Sequence, residues 1–336
     1  VVESPKPATR MDVARLSGVS GAVVSYVLND GPRPVSAQTR ARVLAAVEKL
    51  NYRPNAAARA LRLRRSNAIG LILPDISNPY FAEFAKAIED AAFDRGYALL
   101  LGNSSNDPHR EAAQLDSFID RQVDGLLVIS VRKYAELSVV REAKIPLVVI
   151  DQPEKGVDVA TVVIDNYRGA RAAVDHLRSH GHRRVALIGG PPQLPGSHAR
   201  QAGWRDALTD LGAADRKQLQ VVAPFSRLGG LEATLQLMST KDRPTAVFAC
   251  SDVQAIGVLR ACAQLGLRVP EDLALISFDG TQGAEFTAPP LTVIRQPVEM
   301  IAGTALDMLL TPPGDLESKQ RVVPHELVRR GSCGCQ

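Results

Sequence analysis

Long apolar runs are missing from this chain of 336 residues. No stretch reaches the roughly 20 residues that a membrane helix requires. The first ten residues, Val1 to Arg10, are polar and contain proline instead of an apolar signal core. We therefore expect a cytoplasmic protein with no membrane partner. Cysteine is scarce, with Cys250, Cys262, Cys333 and Cys335 as its four positions. The first two lie in apolar or helical patterns and are expected to be buried thiols. The last two sit in the tail Gly-Ser-Cys-Gly-Cys-Gln, and the cysteine spacing matches no zinc pattern with enough ligands nearby. They are read as incidental. The six histidines, His109, His176, His180, His182, His198 and His325, are scattered along the chain and most read as surface residues. A phosphate loop, a nucleophile elbow and a metal-spaced His/Cys set are all lacking. These absences point away from an enzyme and from any resident cofactor or metal.

The chain does carry a charge asymmetry. Its net charge is +4, yet residues 1–66 hold twelve Lys/Arg against four Asp/Glu. That segment alone carries +8, so the remainder sums to −4. A basic head on a mildly acidic body suggests a polyanion partner for the head. The head itself reads as three helices. Met11–Ser17 and Gly21–Leu28 are predicted helices joined by the turn Gly18-Val19-Ser20, with Ser20 as the second helix's cap. Apolar Val13, Ala14, Leu16, Val19, Val24, Val27 and Leu28 suit packing across that corner. Ser36 then caps a third helix from Ala37 to Leu50, whose apolar residues are Val43, Leu44, Val47 and Leu50.

Tyr52 to Leu61 follows, rich in alanine behind Pro54. Proline suits a helix start and alanine its interior, but about ten residues are too few to hold a helix alone in water. A segment ordered only by a partner is expected here. From Ala68 short apolar strands alternate with amphipathic helices, which implies parallel sheets with helices on both faces. Strands are predicted at Ile69–Leu73, Ala98–Leu101, Gly125–Ile129, Leu147–Ile150, Thr161–Ile164, Val185–Ile188, Ala246–Ala249 and Leu273–Ser277. Polar residues at the predicted strand ends include Asp75, Asp151, Asp165, Arg200, Ser251, Asp252 and Asp279. Ligands gather at such ends in open sheets. Asp252 reads as the cap of the helix that follows it.

The stretches Asp-Val-Ala-Arg-Leu-Ser-Gly-Val-Ser and Val-Ser-Tyr-Val-Leu-Asn, with the hinge that follows, resemble the lactose-repressor/galactose-repressor family. The body resembles the type I periplasmic-binding-protein fold along its length. The resemblance implies an all-α helix-turn-helix head over 9–52, a hinge helix and linker over 53–67, and an α/β body of two doubly wound parallel-sheet lobes. Those lobes are expected at 68–163 with 293–321, and at 164–292 with 322–336. It implies base contacts from Gly21, Ala22 and Tyr26 and phosphate contacts from Ser20, Ser25 and Asn29. Hinge residues Asn55 and Ala58 would face the minor groove, Arg59 would lie near phosphates, and Leu61 would wedge between base pairs. Gly21 and Ala22 offer no side-chain hydrogen bonds, so direct reading of bases is thin.

In the body, the resemblance implies ligand contacts at Tyr80, Phe81, Asp151, Arg200, Phe225 and Asp279, with Asp165 a further candidate from its strand end. Carboxylates that accept from hydroxyls, a guanidinium fork and aromatic walls suit a polyol or polar heterocycle. The loop 191–198 offers little beyond Gln193, Ser197 and His198, which favours a neutral sugar. A purine or another polar metabolite acting as corepressor is the alternative. The implied protein is a homodimer, with a tetramer as the larger option. It would repress transcription from a pseudo-palindromic operator, nucleoid-associated when bound, under control of its ligand. An exported solute receptor would lack the basic head, and a glycoside hydrolase would need two cleft carboxylates set for catalysis.

Overall fold

A computed structural model describes residues 8–28, 33–53, 65–130, 137–151, 159–192, 194–210, 212–312, 314 and 319–335. The chain separates into two compact units, residues 1–66 and 67–336. Asn29 and the expected hinge segment from Pro54 to Leu61, with Asn55, Ala58, Arg59 and Leu61, lie outside the described residues.

In the first unit, α1 (Arg10–Ser17) begins at Thr9, whose side chain and Asp12 cap each other reciprocally. It ends at Gly18, whose φ of 66° supplies the left-handed turn. The next helix, α2 (Gly21–Leu28), leaves at 102° to α1, an angle typical of a helix-turn-helix. Ser36 caps α3 (Ala37–Lys49), and Arg40 of α3 donates to the carbonyl of Val27 at the end of α2. The core is Val13, Ala14, Val24, Val27, Val43 and Ala46, flanked by Val19, Leu28, Val47 and Leu50. Two expected core residues are corrected: Leu16 is 45% and Leu44 47% exposed. The helical period turns Ser17 inward in place of Leu16, and the Ser17 hydroxyl is satisfied by the carbonyl of Val13 at 2.6 Å.

The second unit holds two six-stranded sheets. The first comprises β1 (Ala68–Leu73), β2 (Ala98–Asn103), β3 (Gly125–Val128), β4 (Leu147–Ile150), β5 (Ala160–Ile164) and β11 (Gln320–Val323). Its order is β11-β5-β4-β3-β1-β2 and every pairing is parallel. The second comprises β6 (Val185–Gly189), β7 (Gln220–Val222), β8 (Ala246–Ala249), β9 (Ala274–Asp279), β10 (Thr292–Arg295) and β12 (Glu326–Val328). It runs β12-β10-β9-β8-β6-β7, parallel except for β12, which meets β10 antiparallel at the edge.

Helices cover both sheets: α4 (Pro79–Phe93), α5 (Pro108–Asp120), α6 (Ser138–Glu142), α7 (Asn166–Ser179), α8 (Pro195–Ala207), α9 (Ala213–Gln218), α10 (Arg227–Met238), α11 (Asp252–Leu265) and α12 (Val298–Leu310). Apolar residues of α12 pack into the first lobe's core beside Phe84 and Ile88 of α4. The lobes are therefore discontinuous in sequence, and the crossings fall later than expected. All four residues of β10 pair with β9, so the chain leaves the second sheet after Arg295, not at 293. All of β11 pairs with β5, so the last crossing follows Val323. Strand pairing, invisible to the apolar pattern alone, sets both limits.

Candidate ligand cleft and DNA-facing head

The strand ends of both sheets converge on a cavity of about 350 Å³. From the first lobe come Asp75 after β1, Ser130 after β3 and Asp151 after β4, with Tyr80 and Phe81 on the first turn of α4. From the second come Phe225 after β7, Ser251 after β8, Asp279 at the end of β9, and Arg200 on α8. Gln296 enters from the crossover between β10 and α12. Six of the seven expected ligand residues line this space: Tyr80, Phe81, Asp151, Arg200, Phe225 and Asp279.

Asp165 does not line it. Its carboxylate caps α7, accepting from the backbone of Arg168 at 2.9 Å. The next residue faces inward instead. Asn166 donates to Asp151 at 2.8 Å and accepts from Arg200 Nε at 2.8 Å, linking residues from both lobes. Nothing in the sequence pattern separates Asn166 from its neighbour, since either polar side chain suits a helix start.

Arg200 is held on several sides. It donates to the carbonyl of Cys250 at 2.5 Å and lies 3.7 Å over the ring of Phe278. Asp279 accepts from the Gln296 amide at 2.7 Å, and that amide's oxygen accepts from the Tyr80 hydroxyl at 2.9 Å. Burial raises the Asp279 pKa to about 8; nearby Arg200 opposes the rise and the Asp252 carboxylate adds to it. Burial also raises Asp151, against the pull of Arg200 and the Asn166 hydrogen bond. Tyr80 is raised first by burial and then by the carboxylates of Asp279 and Asp151. Both Asp151 and Asp279 adopt positive φ, at 67° and 118°. Such backbone is costly for a non-glycine residue and recurs at functional sites.

Asp252 is not the cap expected of it. Ser251 caps α11 by accepting from the backbone of Gln254. The Asp252 carboxylate turns into the protein and accepts from Ser277, from the Thr281 hydroxyl at 2.8 Å and from the Thr281 backbone at 2.7 Å. It thereby braces the loop after Asp279. Gln254, buried two residues on, shares its amide hydrogens among the carbonyls of Gly189, Ala223 and Pro224. Those carbonyls belong to two strand-end loops of the cleft. Glycine matters at Gly190, where an added Cβ would sit 2.1 Å from the ring of Phe225.

In the head, α2 buries Val24 and Val27 and leaves the opposite face open. Ser20 and Ala22 are exposed, and Gly21, Ser25 and Tyr26 are half-buried. The Ser20 hydroxyl accepts from the backbone of Val23 at 3.4 Å, as a cap does. Residues 9–55 match "Bacterial regulatory proteins, lacI family", and residues 174–333 match "Periplasmic binding protein-like domain". The HTH-type transcriptional repressor PurR of Erwinia tasmaniensis is 38% identical over 306 residues, covering 90% of this chain and 89% of that repressor.

The chain belongs to the lacI family.

It is a DNA-binding transcription regulator with a ligand-controlled body. Another relative, the ribose operon repressor of Escherichia coli strain K12, is 35% identical over 330 residues, covering 97% of this chain and 99% of that one. A crystal structure of the lac repressor dimer bound to operator and the anti-inducer ONPF superposes with a TM-score of 0.86 at 28% identity, covering 98% of this chain and 99% of that chain. Among the described residues, no single helix is long and apolar enough to cross a membrane.

Proposed function

We propose that this lacI-family chain is a dimeric repressor whose operator affinity is set by one neutral monosaccharide held between the lobes. The observation that carries the reading is that Asp151, Asp279, Gln296 and Arg200 line one cavity together with the rings of Phe81 and Phe225. A sugar hydroxyl both donates and accepts, so it satisfies a carboxylate and a guanidinium together. The rings cover the sugar's apolar C–H face. A cavity of about 350 Å³ matches roughly a dozen waters at about 30 Å³ each, or a molecule of about that many heavy atoms. The name of the Escherichia coli relative ties it to a ribose operon, which agrees in class.

The protein acts by binding, with no turnover of its ligand, and works in the cytoplasm on duplex DNA. Ser20, Gly21, Ala22, Ser25, Tyr26 and Asn29 of the head, with Asn55, Ala58, Arg59 and Leu61 of the hinge, are proposed to meet the operator, one copy on each half-site. The lobes, as proposed units with limits set by the strand pairing, are 68–163 with 296–323 and 164–295 with 324–336. Ligand control requires different affinities for the DNA-binding and released states.

Thermal unfolding of the full chain with neutral pentoses and hexoses, beside hypoxanthine and guanine, tests the ligand class. A ligand at a hundred times its Kd stabilises the native state by about 2.7 kcal/mol. A rise in midpoint with a neutral sugar, lost in Arg200→Ala, is expected. A rise with a purine and none with any sugar overturns the sugar reading.

A further inference from the structure

The pair His176 and His180 and the pair Cys333 and Cys335 lie far apart in sequence and meet in the second lobe. The two histidines are four residues apart at the C-terminal end of α7, so the helical period stacks them on one face. Their ring centroids are 4.8 Å apart. The two cysteines arrive from the last turn of the described chain, Gly331–Cys333, and the residues after it. Gly334, at φ 92°, reverses the backbone between them and brings both sulfurs to the histidines.

The geometry points to a closed zinc(II) site made by these four side chains. The ligand atoms all lie within 4.8 Å of one another. His176 Nε2 is 3.4 Å from Cys333 Sγ and 3.4 Å from Cys335 Sγ. His180 Nε2 is 3.5 Å from Cys335 Sγ. In a tetrahedral site with Zn–N about 2.0–2.1 Å and Zn–S about 2.3 Å, neighbouring N and S atoms stand about 3.6 Å apart. The observed spacings approach the edges of that tetrahedron.

Two thiols and two imidazoles suit zinc and not calcium or magnesium, which take oxygen ligands. Four protein ligands leave no open position, so the ion would be structural and not catalytic. Each thiol releases its proton to solvent when it binds, and the two thiolates balance the charge of the ion. Cys250 and Cys262 are buried in the lobe's core and take no part.

The surroundings hold one side of the site in place before any ion arrives. Ser332 donates to the carbonyl of Leu275 at 2.6 Å and accepts from the backbone of Thr292 at 2.8 Å. The Thr292 hydroxyl lies 2.9 Å from the Arg330 carbonyl and 3.1 Å from Cys333 Sγ, and turning its one proton to the sulfur would supply the kind of outer contact that orients a thiolate ligand. Cys333 is buried and His180 exposed, so the ion can enter from solvent onto a fixed wall. Bound zinc would fasten the end of the chain to α7. The first residue of that helix is Asn166, which bridges Asp151 and Arg200 in the cleft.

The test uses the full chain, reduced and stripped with a chelator, then titrated with cobalt(II) and back-titrated with zinc(II). One cobalt per chain is expected, with intense tetrahedral visible bands and a near-ultraviolet thiolate-to-cobalt band that zinc abolishes. The double variant His180→Gln/Cys335→Ser alters the two more exposed flanks of the site and leaves Cys333 in place. It should keep its far-ultraviolet circular dichroism and lose zinc affinity by more than the roughly 10–100-fold that loss of an outer-shell partner costs. Zinc should raise the unfolding midpoint of the parent chain and not of the variant. Absence of the thiolate band in the reduced parent, or zinc held equally well by the variant, overturns the proposal. A Cys333–Cys335 disulfide that persists under reducing conditions overturns it as well.

Discussion

Arg200 and Asp279 face each other across 3.7 Å, with 7% and 5% of their side chains exposed. That separation is longer than the roughly 2.7–3.2 Å of a direct N–H···O bond. The guanidinium gives two of its N–H groups to Asn166 and the Cys250 carbonyl and keeps others for a ligand, while the carboxylate takes the Gln296 amide. A ligand hydroxyl set between them accepts from Arg200 and donates to Asp279. The pair is thus held open for a third group, and it becomes an ion pair once Asp279 loses its proton.

Removing either partner leaves the other buried and short of its ligand contact. Hydrogen bonds to charged groups contribute about 1.5–3 kcal/mol, so Asp279→Asn should weaken sugar binding by roughly 10- to 100-fold. Isothermal titration of the variant, with circular dichroism to check the fold, measures this. Unchanged affinity would remove Asp279 from the binding site.

Binding should also depend on pH. Asp279 has a pKa of about 8 in the folded protein against 3.8 in the unfolded chain. Between those values the native state holds a proton that the unfolded state lacks. The group's contribution to stability is therefore complete below about pH 4 and is lost as pH rises through about 8. A hydroxyl donated to the carboxylate favours the ionised form, so sugar binding near neutral pH should release a proton. Affinity should increase from about pH 6 to about pH 8 and level off above. Titrations in two buffers of different ionisation heat detect the proton, and Asp279→Asn should abolish the slope.

Helix α10 meets α11 through glycine. A Cβ at Gly230 would lie 2.0 Å from the Gln254 carbonyl, and one at Gly257 would lie 2.1 Å from that of Arg227. These are backbone obstacles, so the helices must separate. Gly257→Ala should destabilise by at least about 1–3 kcal/mol, the usual cost of overpacking. Denaturant unfolding of parent and variant tests this. Because Gln254 also holds the cleft loops, Gly230→Ala should weaken sugar binding as well.

Much of this architecture is legible in the sequence, and the reasons are specific. The helices of the head announce themselves through Gly18, Ser36 and their apolar spacing. Seven buried strands, β1, β3 to β6, β8 and β9, read as short apolar runs because both faces of a parallel sheet are covered, and the edge strand β2 reads through its run of leucines. The edge strands β7, β11 and β12 escape notice because polar residues such as Gln220, Arg321 and Glu326 break any apolar run, and the buried β10 escapes because Thr292 and Arg295 leave only two apolar residues between them. In the cleft, Arg200 and Asp279 are foreseen, while Asn166, Gln254 and Gln296 are not. Uncharged amides carry no pattern, and their partners lie up to 216 residues away, as with Tyr80 and Gln296. The His176–Cys333 meeting escapes for the same reason: spacing in the sequence says nothing of an approach made by folding.

The body should outlive the head. Residues 67–336 form their own compact unit, so this fragment should fold, keep the sugar-induced rise in unfolding midpoint and lose DNA binding. The full chain should lose DNA affinity steeply with salt, because the basic residues of 1–66 release counterions from phosphates. Salt-independent binding, or DNA binding by the fragment, would contradict the assignment of the head.

The most direct test of a ligand-controlled repressor is DNA affinity measured with and without its ligand. Fluorescence anisotropy of the full chain on a duplex selected from a random pool, with the sugar identified by thermal unfolding, provides it. Sugar should change the Kd for the duplex by about 5- to 150-fold. Arg200→Ala should bind the same duplex and show no change. Equal DNA affinity at saturating sugar in the parent chain, or a full response in Arg200→Ala, would contradict ligand control through this cleft.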